Sequence, residues 1–377
     1  MQELTREQQA KRYERIKLIV SISESVLSFL LLVLFLTTGY SAELRDWTHQ
    51  LTENAYLRFL LFMAVAGFGL SLFTFPFEFY SGFILEHRYQ LSNQTLWDWI
   101  KEKLKENLVG LAIGLPLALA FYFLLLNYPQ SWWFWLSVVI FLFSVLLGRL
   151  APQLIFPLFY KFEPLKDDEL LKRMERLAKI GKFDLQGIFR FNMSKDTKKA
   201  NAAFTGLGKS RRIIIGDTLL ENFTHDEIEA VFAHEVGHFV HKHLYRLMAA
   251  GTLQTFVGFY LAHLIYWDLL TRMGFTGPAD LAALPLIAII LTVYMLLVSP
   301  LSNALSRHYE RQADLYALRH SSNPRAFASA LLKLSEQNLS DKQPHPLVEF
   351  FFHSHPSIQK RVKMVEDFLQ GKKIEQV

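Results

Sequence analysis

There is no cysteine among the 377 residues, which excludes disulfides, thiolate metal ligands and cysteine nucleophiles at once. Internal repeats and low-complexity stretches are also missing, so neither a solenoid nor a biased tail is in question. Nor is there a basic recognition motif for nucleic acid. The net charge of +5 and pI near 9.1 come from Lys and Arg beside apolar runs, where membrane orientation accounts for them. What is scarce overall is polarity. Hydrophobic residues make up 51% of the chain, 33 residues are phenylalanine and the mean hydropathy is +0.18. That is too apolar for a soluble chain of this length and marks a polytopic membrane protein.

Residues 1–17 are polar and basic, with Arg6, Lys11, Arg12, Arg15 and Lys17. No small-residue cleavage site follows the next apolar run, so 18–40 reads as a retained first span. Further runs of the length a bilayer core requires fall at 59–79, 108–128, 132–150, 248–269 and 281–301. Cations are sparse in the odd-numbered connections and frequent in the even-numbered one (Arg88, Lys101, Lys103, Lys105), in 161–247 and in the tail. The positive-inside rule therefore puts both termini and 161–247 in the cytoplasm. Glu24 and Glu78 fall in or at the edge of these runs, where a carboxylate implies a water-filled cavity or an internal pair; for Glu24 a simple interhelical hydrogen bond serves as well.

The chemistry centres on Ala233-His234-Glu235-Val236-Gly237-His238-Phe239, an H-E-x-x-H core preceded by Thr224 and Glu227 at the spacing of a helix-opening capping box. His234 and His238, four apart on a helix, present both imidazoles to one zinc ion. Glu235 lies too far round the helix to be the obvious third ligand but can reach a water beside the metal, the place of a general base. Gly237 costs a helix interior roughly 1 kcal/mol against alanine, which implies a close approach by backbone or substrate at that turn. His241 stands about 10.5 Å along the axis from His234, too far to complete a tetrahedron. In the downstream stretch 303–314, Glu310 and Asp314 share a helical face: Glu310 would bind the metal and Asp314 accept the outer N–H of a ligating histidine. The alternative is a solvated helix in which these carboxylates pair with Arg307 and Arg311; the upstream motif favours the metal. The H-E-x-x-H helix runs into the fifth span and the Glu310 helix emerges from the sixth, so a membrane hairpin would return the third ligand to the first two.

Short extended candidates occur at 188–191, 201–205 and 213–215, the last two joined by a turn at 206–210, so a small sheet precedes the H-E-x-x-H helix. Asn323-Pro324 and His355-Pro356 open two later helices, the second amphipathic through Ile358, Val362, Val365 and Phe368. The expected architecture is a mainly α membrane protein with about six transmembrane helices and an α+β zinc-protease domain. Its parts are helices 1–4 in 1–160, a catalytic domain in 161–247, helices 5–6 in 248–301 and a third-ligand helix with a cap in 302–377.

With both metal motifs, the chain resembles the type 1 CAAX prenyl endopeptidases, integral-membrane zinc proteases of the gluzincin class. The resemblance extends over roughly residues 60–370 through Pro157-Leu158-Phe159, Ser194-Lys195, Asn201-Ala202, Thr205-Gly206-Leu207-Gly208, Asp217-Thr218-Leu219-Leu220 and Ser354-His355-Pro356 with Arg361. It implies a helical bundle around a water-filled chamber, one zinc per chain at its cytoplasmic end, and a peptide or protein substrate with or without a lipid. It further implies that Asn201 and Ala202 bind the substrate backbone and that His355 and Arg361 contact the substrate or the transition-state oxyanion. From the residues alone, His355 is equally a helix N-cap and Arg361 a solvated or carboxylate-paired arginine. Eukaryotic members have seven spans where six are counted here, a departure that suits a prokaryotic homologue. A heat-shock-induced quality-control protease of the HtpX type would share the zinc constellation. A receptor or transporter with structural metal would not need Glu235.

Overall fold

A bilayer offers no water to backbone polar groups, so each apolar run must satisfy its own as a helix. In the computed structural model, which describes residues 5–182, 187–206 and 212–372, six helical stretches among the described residues are long and apolar enough to cross a membrane. The first four come from α1 (Arg6–Thr37), α3 (Ala55–Phe79), α5 (Leu96–Asn127) and α6 (Trp132–Leu154), with a short α2 (Tyr40–Leu51) between the first pair. A wider-wound turn, Tyr80–Ile84, extends α3 into α4 (Leu85–Arg88), and α7 (Phe156–Phe159) follows α6. Glu78, at the membrane edge, pairs with Lys103 at 3.0 Å, a half-exposed ion pair.

A four-stranded sheet lies beyond the spans, in the order β1 (Phe162–Pro164), β2 (Ile188–Phe191), β4 (Arg212–Gly216), β3 (Ala202–Thr205). β2 and β4 run parallel and the two outer pairs antiparallel, which leaves β3 as an edge. β1 is an addition to the three strands legible in the sequence; of the turn expected at 206–210, residues 207–210 lie outside the described residues. Helix α8 (Asp168–Ile180) packs under the sheet, and α9 (Asp217–Asn222) leads to α10 (His225–Val240), which carries the H-E-x-x-H core. The capping box forms as spaced: the Thr224 hydroxyl accepts from the Glu227 N–H, and the Glu227 carboxylate accepts from the Thr224 N–H at 2.8 Å.

Helix α10 does not run straight into the fifth span. It stops at His241, Lys242 takes a left-handed conformation (φ 56°), and α11 (His243–Met273) starts afresh. The return helix α12 (Leu284–His320) is continuous from the membrane through Glu310 and Asp314. It is followed by α13 (Pro324–Asn338), α14 (Pro346–Phe352) and α15 (Ile358–Leu369), the last starting after Ser357, which makes no side-chain cap bond, rather than opened by His355-Pro356.

Burial concentrates in two large zones and a small one, the small one joining Ala10 and Tyr13 of α1 to Leu85, Leu91 and Leu339. Of the large zones, one lies at the far ends of the spans, around Phe59, Phe62, Leu125, Trp132 and Tyr266. The other joins α8, the sheet, α10, α13 and α15 through Leu170, Met174, Ile215, Ala233 and Phe327. At about 25 cal/mol per Å² of apolar surface removed from water, the second zone is what fixes the catalytic elements to one another.

Candidate active site

Gly237 decides how close the two motif-bearing helices come. A Cβ built there would stand 2.9 Å from the Cα of Ala313 and 2.9 Å from the Cβ of Tyr316. Hence α10 lies directly on the α12 backbone, and the close approach implied by a mid-helix glycine is made by that backbone. Glu310, one turn before Ala313, arrives beside His234 and His238 as a result.

The three potential ligand side chains form a triangle whose Glu310 corner is shared by the two carboxylate oxygens. His234 Nε2 is 3.1 Å from His238 Nε2 and 3.3 Å from Glu310 Oε2, and His238 Nε2 is 3.3 Å from Glu310 Oε1. Ligands held at zinc distances in a tetrahedron are about 3.3 Å apart, so the triangle has the right edge. Glu310 is 5% exposed and its Oε2 has no hydrogen-bond partner, an orphan that a cation would satisfy. Among the described residues this is the group of His and acidic side chains whose donor atoms converge as a metal site. Neither Arg307 nor Arg311 takes Glu310; Arg307 instead donates to the carbonyls of Glu349 and His353, tying down the end of α14 and the loop that bears His355.

The outer ring nitrogens are equally determined. Asp314, fully buried, accepts from His234 Nδ1 at 2.8 Å and is held by Arg361 through Nε at 2.9 Å and a second N–H at 2.5 Å. His234 thus keeps its Nε2 lone pair toward Glu310. Burial, the largest influence on His234, opposes its protonation, but the Asp314 and Glu310 carboxylates outweigh it and raise the pKa to about 9: the site calls for positive charge. Burial likewise opposes the charge on Arg361, and Asp314 more than restores it. On the other side Gln312 Oε1 accepts from His243 Nε2 at 2.9 Å, leaving His243 Nδ1 to accept from His238 Nδ1 at 3.0 Å. His238 then also turns an unprotonated Nε2 inward. His243 and Gln312 were not foreseen; only the break at Lys242 brings His243 back over His238. His241 stacks on the His243 ring at the end of α10, outside the triangle.

A groove of about 450 Å³ runs past His234 and Glu235, with Asn201, Ala202, His355 and Arg361 on its walls. His355 Nε2 lies 3.2 Å from Glu310 Oε1, with its side chain largely exposed. β3 borders the groove through its unpaired edge, and the segment before it is pinned on three sides. Lys199 Nζ meets Glu86 at 2.8 Å and the Tyr13 hydroxyl at 3.0 Å, Thr218 donates to the Lys199 carbonyl at 2.7 Å, and the Asn338 amide pairs with both the N–H and the C=O of Ala200. These residues come from four separate elements, so no local spacing advertises them. An exposed edge strand beside a groove is the usual platform for an extended peptide.

Six membrane helices with an H-E-x-x-H helix and a third carboxylate beside an edge strand define a membrane-embedded metalloendopeptidase. Peptidase family M48 matches residues 164–368, and the CAAX prenyl protease N-terminal family, described as five membrane helices, matches 3–161. The chain therefore belongs to the M48 metalloproteases of the CAAX prenyl protease 1 type. It is 32% identical to the uncharacterized metalloprotease YhfN of Bacillus subtilis over 95% of this chain and 84% of that one. It is 33% identical to CAAX prenyl protease 1 of Saccharomyces cerevisiae over 83% of this chain and 73% of the yeast protein. The crystal structure of S. mikatae Ste24p superposes with a TM-score of 0.85 at 28% identity, covering 96% of this chain and 89% of that one. The receptor or transporter reading falls with the family assignment, and the comparisons give the HtpX-type reading no better support.

Proposed function

We propose that this protein is a zinc endopeptidase whose metal is held by His234, His238 and Glu310 and whose general base is Glu235. The observation that carries the reading is the convergence of the two imidazoles on one buried carboxylate: His234 Nε2 and His238 Nε2 are 3.1 Å apart and lie 3.3 Å from Glu310 Oε2 and Oε1 respectively, beside a groove that Glu235 also lines. Bound zinc supplies a Lewis acid that polarises the scissile carbonyl and acidifies water. The Glu235 carboxylate takes a proton from the attacking water and delivers it to the leaving amine nitrogen. Asn201 and Ala202 hold the substrate as an added strand on β3, so that the scissile bond faces Glu235. His355 donates to the oxyanion from the groove wall. Arg361, with two donors on Asp314, acts on the oxyanion through its charge and on His234 by positioning Asp314. The substrate is a peptide or protein reaching the groove from the membrane surface, and the catalytic domain and both termini are cytoplasmic.

The test is cleavage of peptide substrates by purified protein, with zinc content measured alongside. Glu235→Gln keeps near-stoichiometric zinc and loses hydrolysis by several orders of magnitude, the size associated with removing a base and its proton shuttle together. Zinc loss in that variant would move Glu235 into the ligand set, and unchanged hydrolysis would remove it from the chemistry. Proteomics of membranes carrying Glu235→Gln as a trap, with and without prenylated candidates, identifies the substrate and whether a lipid is needed.

A further inference from the structure

The catalytic groove is also lined by Glu14 from α1, Ser335 from the last turn of α13 and Asp341 from the loop that follows it. Three features of this lining do not belong to the metal site. Glu14 is half-buried, and within the chain its carboxylate accepts from the backbone N–H of Asp341. Asp341 is also half-buried and uses one oxygen to accept from the Gln343 N–H at 3.0 Å. Ser335 is 2% exposed, lines the same groove, and its hydroxyl has no hydrogen-bond partner, a condition that costs on the order of 1–3 kcal/mol unless something meets it.

The surrounding cations make their short-range contacts elsewhere, and Lys17 and Lys11 reach Glu14 and Asp341 only through longer-range charge. Lys11 pairs with Glu7 at 2.9 Å, Lys342 with Glu336 at 2.9 Å, Arg6 donates to the Glu336 carbonyl, and Lys17 lies over the Tyr13 ring. Among the described residues no cation pairs with Glu14 or Asp341. Two adjacent half-buried carboxylates repel each other and lose hydration. A hydrogen-bond donor carrying positive charge relieves both penalties and meets the Ser335 oxygen as well.

We propose that the part of the groove lined by Glu14, Asp341 and Ser335 is a subsite for a cationic group of the substrate, an ammonium or guanidinium, and so sets a preference for basic peptides. The inference rests on the endopeptidase reading above. The subsite also gives the cytoplasmic turns of α1 a role: they wall the groove, held there by Tyr13 on Glu86 and Lys199, by Arg6 on the Glu336 carbonyl and by the packing of Ala10 and Tyr13 with Leu339.

The experiment uses the full-length zinc-loaded enzyme and a cleaved parent peptide in which lysine is scanned against glutamine one position at a time. Each peptide is made with a free and with an acetylated amino terminus, which separates a side-chain cation from a terminal one. At one position lysine raises kcat/KM over glutamine by about five- to twentyfold, mainly through KM. That ratio falls toward one in Glu14→Gln and in Asp341→Asn, and inverts in Glu14→Lys when glutamate replaces lysine. Both peptides are measured on one preparation, so loss of folded enzyme cancels from the ratio. A preference that follows only the free amino terminus assigns the cation to the substrate's end. A ratio near one at every position, or one untouched by Glu14→Lys, overturns the subsite while cleavage itself leaves the endopeptidase reading standing. No cleavage of any peptide by the wild type would instead remove that reading.

Discussion

Gly237 rests on the backbone of Ala313, with room for no side-chain atom between them. Two opposing effects meet in Gly237→Ala. Alanine adds about 1 kcal/mol of helix propensity, but its methyl would stand 2.9 Å from a Cα that cannot move without moving α12, and overpacking of this kind costs about 1–3 kcal/mol. The steric effect wins. The variant unfolds at a lower temperature and binds zinc more weakly, because Glu310 is pushed from the histidines; wild-type zinc affinity in a folded Gly237→Ala protein would disprove the coupling.

The ligand set separates by substitution. Glu310→Ala loses zinc and activity, and His241→Ala, outside the triangle, loses neither. Asp314→Asn weakens zinc roughly 10–100-fold, as losing a partner behind a metal-bound histidine does. Asp314→Ala is worse, because besides the charge it removes the acceptor oxygen that asparagine still offers to the buried Arg361 donors, and breaking a buried pair outright costs on the order of 3–5 kcal/mol. Metal titration with thermal unfolding distinguishes the two. Zinc retained in Glu310→Ala but lost in His241→Ala would replace the proposed set.

His243 holds His238 in its metal-binding tautomer, with Gln312 setting His243 in turn. His243→Phe keeps the ring against Tyr309 but removes the acceptor. Zinc affinity falls roughly tenfold or more, while Gln312→Glu, which still accepts from His243, retains most of it. Equal affinity in all three proteins would show that the relay has no hold on the site.

The absence of cysteine makes topology directly testable. Single cysteines at Glu53 and Gln130, in connections facing away from the sheet domain, label in intact cells, and one at Glu175 on α8 labels only after permeabilisation. Labelling at Glu175 in intact cells would put the active site on the outer face.

The sequence by itself determined the spans, because a bilayer leaves an apolar run of about 20 residues no alternative to a helix. It determined the pairing of His234 with His238 and the cap at Thr224, since both follow from spacing within one helix. Glu310 and Asp314 were legible as a pair one turn apart, though only in the light of the first motif. Tertiary structure decided what depends on distant segments meeting: that α12 stays helical from the membrane to the triangle, that Arg361 closes on Asp314, and that His243 returns over His238. It also decided that Lys199, Glu86, Tyr13 and Asn338 fix the approach to β3. Local pattern encodes a periodicity along one element. The residues that lock a site come from several elements, and only the packing of α10 on α12 and of α13 against the sheet brings them within hydrogen-bond reach.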